Sequence, residues 1–124
     1  MKETKERPTI LVAEDMESNY LLVSYILKKD YNLLWAHDGE EALEIYRTHK
    51  IDIILMDMRM PRLGGLATAE QIRKTDHETP IIALTAFAFE SDREQTEKAG
   101  CDDFVSKPIN ADLLLSKIRK YLPA

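Results

Sequence analysis

The chain of 124 residues contains a single cysteine, Cys101, so it forms no internal disulfide and no multi-cysteine zinc site. Its histidines, His37, His49 and His77, stand isolated and lack ligand spacing, which argues against a histidine metal centre. Long apolar runs are missing: the longest, such as Ile53–Met56 and Ile81–Leu84, are four or five residues, whereas a membrane-spanning helix needs roughly twenty. An excess of positive charge is missing too. Seventeen basic residues against twenty-two acidic ones leave a net charge of -5, which argues against a general phosphate-tracking surface for nucleic acid. No glycine-rich phosphate loop follows the first apolar run, which disfavours a nucleotide-binding domain. Residues Met1–Pro8 are charged with no apolar stretch behind a basic start, so no secretory signal is expected. They read as a disordered lead-in or linker (1–8) ahead of one domain (9–122), expected in the cytoplasm.

What is present is a globular composition, 44% hydrophobic and 31% charged, which favours a packed core over disorder. Five short apolar runs recur: Thr9–Ala13, Leu33–Ala36, Asp52–Met56, Ile81–Leu84 and the weaker Asp103–Val105. None alternates apolar with polar, which suits strands of a parallel sheet covered on both faces. Between them the spacing is helical. The expected stripes are Leu22, Val23, Ile26 and Leu27; then Ala42, Leu43 and Tyr46 after Asp38-Gly39; then Leu66, Ala69 and Ile72 after Gly64-Gly65; and finally Leu114, Ile118 and Leu122 behind Asn110 as N-cap. A fourth helix, Glu90–Ala99, has almost no apolar stripe and is expected to be among the least stable elements. Strand–helix alternation repeated five times indicates a three-layer α/β domain. Right-handed crossovers place all strand C-terminal ends on one edge, where open α/β sheets carry their chemistry.

The residues just past the runs are Glu14-Asp15, Asp57, Thr85 and Lys107-Pro108. If the strands are neighbours, three carboxylates, a hydroxyl and an ammonium converge. Two like charges about 4 Å apart repel by about 4 kcal/mol at an effective dielectric near 20, so cations must offset them. Lys107 contributes one charge, and a divalent, oxygen-preferring ion such as Mg²⁺ suits the remainder. These are the parts for phosphoryl transfer with a carboxylate nucleophile. Asp57, alone at the end of the middle run, is the better candidate for that role. Glu14 and Asp15 are candidates for the metal, Thr85 for a hydrogen bond to a phosphoryl oxygen, and Lys107 for pairing with phosphoryl charge.

The segments Ile10-Leu11-Val12-Ala13-Glu14-Asp15, Leu55-Met56-Asp57-Met58-Arg59-Met60-Pro61, Gly64-Gly65, Leu84-Thr85-Ala86 and Asp102-Asp103-Phe104-Val105-Ser106-Lys107-Pro108 together resemble the receiver domain of two-component response regulators. The resemblance runs from about Thr9 to Leu122. It implies a flavodoxin-like (βα)5 sandwich with a parallel five-stranded sheet of order 2-1-3-4-5. It further implies that Asp57 is the phosphoacceptor, taking its phosphoryl group from a phosphohistidine on a histidine kinase or a histidine phosphotransfer domain. Mg²⁺ (or Mn²⁺) would be held by Asp15, Asp57 and the backbone carbonyl of Arg59, with Glu14 acting through water. Thr85, Ala86 and Lys107 would bind the phosphate. Thr85 and Phe104 would form the switch pair, and the Lys107-Pro108 bond would be cis. Partners or an output domain would meet the surface of the fourth helix, fifth strand and fifth helix. A receiver is a signalling domain that catalyses its own phosphorylation and slow dephosphorylation, not an enzyme turning over external substrates.

Some residues depart from the commonest pattern of that family. Glu14-Asp15 stands where many members have two aspartates, and Phe104 replaces the commoner tyrosine. Arg59 and Phe87 occupy the two positions that tune phosphate lifetime, and their bulk is expected to slow the approach of water. Asn19 resembles the residue found there in receivers of hybrid sensor kinases. A hybrid-kinase fragment is therefore expected slightly ahead of a free-standing regulator. Two alternative functions compete with this reading. One is a receiver-like module that binds partners without phosphorylation. The other is an aspartate-nucleophile phosphatase, disfavoured because Arg59 stands where such enzymes carry a second aspartate as general acid.

Overall fold

The computed structural model describes residues 7–60, 62–86 and 90–122. Its elements run β1 (Thr9–Ala13), α1 (Glu17–Leu27), β2 (Asn32–Ala36), α2 (Gly39–Thr48), β3 (Ile53–Asp57), α3 (Gly65–Arg73), β4 (Ile81–Thr85), α4 (Glu90–Lys98), β5 (Asp103–Ser106) and α5 (Ala111–Tyr121). The strands form one parallel sheet in the order β2-β1-β3-β4-β5. Lead-in residues 1–6 and Phe87, a candidate for lifetime tuning, lie outside the described residues. Arg7 and Pro8 are tied down: the Arg7 guanidinium donates to the Lys28 carbonyl, and the Pro8 carbonyl accepts from the Asn32 N–H.

The sheet order explains which apolar runs are strongest. The central strands are covered on both faces, so Ile10–Ala13, Ile53–Met56 and Ile81–Leu84 are all fully buried. The edge strands are mixed: Leu33, Leu34 and Trp35 of β2 and Phe104 of β5 are only half-buried. Alternate residues of each strand face opposite layers. Leu11, Ala13, Ile54, Met56, Ile81 and Ala83 pack with Ala42, Leu43, Ala69 and Ile72 of α2 and α3. Ile10, Val12, Ile53, Leu55, Ile82 and Leu84 pack with Val23, Leu27, Leu114 and Ile118 of α1 and α5.

Local chemistry sets the helix starts. Asp38 caps α2 by accepting the Glu41 N–H, and Asn110 caps α5 by accepting the Leu113 N–H. Gly65 opens α3 where the chain passes so close to β3 that a Cβ would stand 2.3 Å from the Asp57 carbonyl oxygen. No other residue fits there without moving the end of the strand that carries Asp57.

The α1 stripe differs from the sequence expectation. Val23 and Leu27 are buried and Tyr20 and Ile26 pack beside them, but Leu22 is 42% exposed. Successive helical residues lie about 100° apart, so a stripe centred on Val23 and Leu27 turns Leu22 outward, together with the exposed Leu21 and Tyr25. Two strand ends also shift by a residue. Asp57 and Thr85 are the last residues of β3 and β4 instead of the first residues beyond them. Among the described residues, no helix is long and apolar enough to cross a membrane.

This burial pattern gives a direct contrast. Leu27→Ala is expected to destabilise the fold by about 2–5 kcal/mol through cavity formation, while Leu22→Ala stays within about 0.5 kcal/mol. Urea titrations of both variants check the register of α1.

Candidate functional site

Parallel register brings the strand ends to one edge. Ala13 is level with Met56, Asp57 with Leu84, and Thr85 with Ser106. Glu14 and Lys107 each follow directly on a strand, and they remain anchored to it. The Glu14 N–H donates to the Ala36 carbonyl at 2.9 Å, and the Lys107 N–H to the Thr85 carbonyl at 2.8 Å. The polar groups therefore stand on rigid backbone at the end of a fully apolar core.

Glu14 is fully buried, Asp57 is 4% exposed, and Asp15 is exposed at the mouth. One carboxylate oxygen from each of the three lies within 4.8 Å of the others. The Lys107 ammonium bridges the two buried groups, 3.3 Å from Asp57 Oδ2 and 3.4 Å from Glu14 Oε1. Glu14 Oε2 accepts the Met16 N–H at 3.3 Å and an amide hydrogen of Asn19 at 3.4 Å. Asp57 Oδ1 accepts the Arg59 N–H at 3.0 Å. Asp15, Met16, Asp57, Met58, Arg59, Thr85, Ala86 and Lys107 line a cleft of about 370 Å³ over these carboxylates.

One cation among three carboxylates leaves the cluster electron-rich. Burial, and then hydrogen bonding and repulsion from Asp57, push the Glu14 carboxyl up to about 7, against the weaker pull of Lys107 and the Met16 N–H. Glu14 Oε1 is buried without a hydrogen-bond partner. A buried carboxylate oxygen that accepts no hydrogen bond, beside two more carboxylates, suits a hard divalent cation, which takes oxygen donors and compensates the charge that a single lysine leaves.

The expected site residues fall into three groups. Glu14, Asp15, Asp57, Arg59, Thr85, Ala86 and Lys107 converge on the cleft. Phe104 stands apart: its half-buried ring lies between the Lys117 ammonium, 4.7 Å from the ring centre, and the Arg93 guanidinium, 4.9 Å away. Phe87 is outside the described residues. The Lys107-Pro108 peptide is cis. Cys101 is a buried thiol, pushed up to about 12 chiefly by burial, consistent with a packing role. Sequence reasoning overlooked Trp35, whose indole N–H donates to the Glu14 carbonyl at 2.8 Å. The available signal was the chain's sole tryptophan near the end of an otherwise aliphatic strand.

The raised Glu14 carboxyl fixes a sign for pH dependence. In the folded apo protein Glu14 holds its proton to about 7, whereas the unfolded chain releases it near 4.5. Between those values the native state binds more protons, so this residue's contribution to stability falls as pH rises. Without divalent ions, wild type is expected to lose stability relative to Glu14→Gln between about pH 4.5 and 7. Saturating Mg²⁺ should raise both proteins and wild type more, because the variant keeps Asp15 and Asp57 but loses the Glu14 carboxylate. Urea midpoints across pH, with chelator and with Mg²⁺, check both statements.

Comparison with known proteins agrees with this geometry. The family model for the response regulator receiver domain matches residues 10–119. The chain is 33% identical to the polar-differentiation response regulator DivK of Brucella anthropi, over 92% of this chain and 95% of that protein. It is 39% identical to the transcriptional regulatory protein CpxR of Klebsiella pneumoniae, over 91% of this chain but only 48% of CpxR, so it spans about half the length of that relative. Among solved structures, it resembles the receiver domain of the sensor histidine kinase PA1611 from Pseudomonas aeruginosa, which has a magnesium ion coordinated in its active site cleft. That match has a TM-score of 0.87 and 31% identity, covering 95% of this chain and 99% of that one. The receiver domain of Ssk1 from Saccharomyces cerevisiae, crystallised with the histidine phosphotransfer protein Ypd1, matches with a TM-score of 0.87 and 28% identity over 94% of this chain and 89% of that one. With its sheet order, its acidic edge and a family match over nearly its whole length, the chain belongs to the response regulator receiver domains of two-component signalling.

Proposed function

We propose that this receiver accepts a phosphoryl group on Asp57 from a phosphohistidine of a histidine kinase or phosphotransfer protein, and that the transfer alters a partner-binding surface. The observation that carries the reading is the Lys107 ammonium set between the buried carboxylates of Glu14 and Asp57, with Glu14 Oε1 accepting no hydrogen bond beside an open cleft.

In the proposed transfer an Asp57 carboxylate oxygen attacks phosphorus and forms an acyl phosphate. The phosphorus–nitrogen bond breaks, and its electron pair leaves with the donor imidazole. Arg59 donates its N–H to Asp57 Oδ1 and so fixes the orientation of the nucleophile. The Lys107 ammonium, already 3.3 Å from Asp57, stabilises charge on the phosphoryl oxygens, with Thr85 and Ala86 at the cleft wall as further donors. Asp15, Asp57, the Arg59 carbonyl and, through water, Glu14 would hold Mg²⁺ or Mn²⁺, which would supply additional positive charge at the site. The magnesium in the PA1611 receiver supports this assignment. Arg59, exposed at the cleft, and Phe87 are proposed to set the lifetime of the acyl phosphate by obstructing water. Thr85 and Phe104 are proposed to relay its presence to the α4–β5–α5 face. The likeness to a sensor-kinase receiver and to DivK supports a cytoplasmic domain, part of a hybrid kinase or free-standing.

The donor protein is proposed to dock over α1. Met16 lines the cleft mouth, and Leu21, Leu22 and Tyr25 continue from it as exposed apolar side chains. These side chains stand on the helix that opens directly after the cleft-lining Asp15 and Met16. The pairing of the Ssk1 receiver with Ypd1 supports a helical phosphotransfer protein as the occupant.

Incubation with acetyl phosphate and Mg²⁺ is expected to add one phosphoryl group per chain, read by intact mass, and Asp57→Asn should abolish it. An unmodified wild-type chain would sink the proposal. Leu22→Asp is expected to slow transfer from a phosphohistidine protein at least about tenfold while leaving acetyl phosphate labelling unchanged. Equal loss with both donors would move the docking surface elsewhere.

A further inference from the structure

Glu14 sits one residue beyond the ladder between β1 and β2, which ends at Ala13 and Ala36. Its N–H still reaches the Ala36 carbonyl. Its own carbonyl accepts instead from a side chain, the indole N–H of Trp35, at 2.8 Å. The indole is held from both faces. Tyr20 of α1 stacks on it with ring centres 4.2 Å apart and planes 2° from parallel, and His37 stacks with centres 4.1 Å apart at 29°. His37 is itself pinned to Glu41, which accepts its backbone N–H at 2.6 Å and lies 2.7 Å from its ring Nδ1.

The Glu14 carbonyl belongs to the planar peptide that joins Glu14 to Asp15. Fixing that oxygen fixes the plane, and with it the direction in which the chain delivers Asp15 to the cleft mouth. We propose that Trp35 is a positioning residue for the cation site: its indole N–H, braced by Tyr20 and His37, locks the Glu14-Asp15 peptide so that both carboxylates stand ready for the ion. The inference rests on the reading of this cluster as a Mg²⁺ site. Without the indole, part of the binding energy goes into ordering that peptide, and affinity falls. Partners that orient metal ligands from outside the coordination sphere typically change affinity by about 10–100-fold.

The chemistry allows the hydrogen bond to be separated from the packing. Trp35→Phe keeps an aromatic ring in the stack and deletes the donor together with part of the ring area. Calorimetric titration with Mg²⁺ is expected to show about tenfold weaker binding than wild type, with the apo urea midpoint little changed. Tyr20→Ala, which retains the indole but removes its brace, should weaken Mg²⁺ binding in the same direction and shift Trp35 emission to the red. It also provides a test should the phenylalanine variant fold poorly. In wild type, Trp35 emission should change along the calorimetric binding curve. Wild-type Mg²⁺ affinity in both variants overturns the role of Trp35 and leaves the cation site standing. A wild-type protein that takes up no Mg²⁺ overturns the site and this inference together.

Discussion

The molecule is organised around an unfavourable contact. Two carboxylates, Glu14 and Asp57, are buried side by side at the end of an apolar sheet, with one lysine between them. Buried like charges persist only where the surroundings hold them, and every layer of the fold contributes to that restraint. β1 and β3 are central and fully buried, so their ends cannot spread apart to relieve the repulsion. Burial first, and the neighbouring Asp57 second, raise the Glu14 carboxyl. On the proposed function, the group that costs stability in the metal-free protein is the one a divalent ion would compensate.

Specific backbone features keep the cluster from relaxing. The Arg59 N–H on Asp57, the Met16 N–H on Glu14 and the close pass of Gly65 against the Asp57 carbonyl all come from the loops that follow β1 and β3. These restraints come from backbone groups, so the two carboxylates depend little on long flexible side chains. Lys107 is the exception, and its reach is shortened because its own N–H is hydrogen-bonded to the Thr85 carbonyl at the end of β4.

Much of this was legible in the sequence because burial leaves a plain mark. A parallel strand covered on both faces must be an unbroken apolar run, and an acidic residue directly after one is conspicuous; Glu14 and Asp57 stood out in that way, and Lys107 less sharply past the weaker fifth run. The α1 stripe was less legible. Leu21, Leu22, Val23, Ile26 and Leu27 are all apolar, so spacing alone does not say which side faces the sheet; packing against α5 and β2 decides it. Trp35 was illegible for a different reason. Its bond to Glu14 joins residues 21 apart through a side chain and a carbonyl, a pairing that no periodicity encodes. The same holds for Phe104, whose flanking cations come from two different helices.

The rigid edge contrasts with the element beside it. In α4, from Glu90 to Lys98, Thr96 is the buried residue among those whose burial is described, and Ala99 closes the helix end. Between α4 and the end of β4 lies a second cleft of about 210 Å³, which shares Met58, Arg59, Thr85 and Ala86 with the first. Thr85 thus forms the wall between the acidic cluster and the most thinly packed helix. A chemical change sensed by its hydroxyl has little room to propagate into β3, where every neighbour is buried at full density. Toward α4 there is both open volume and weak packing. On the proposed function, the direction of the response is therefore set by where the structure is soft, which is toward α4.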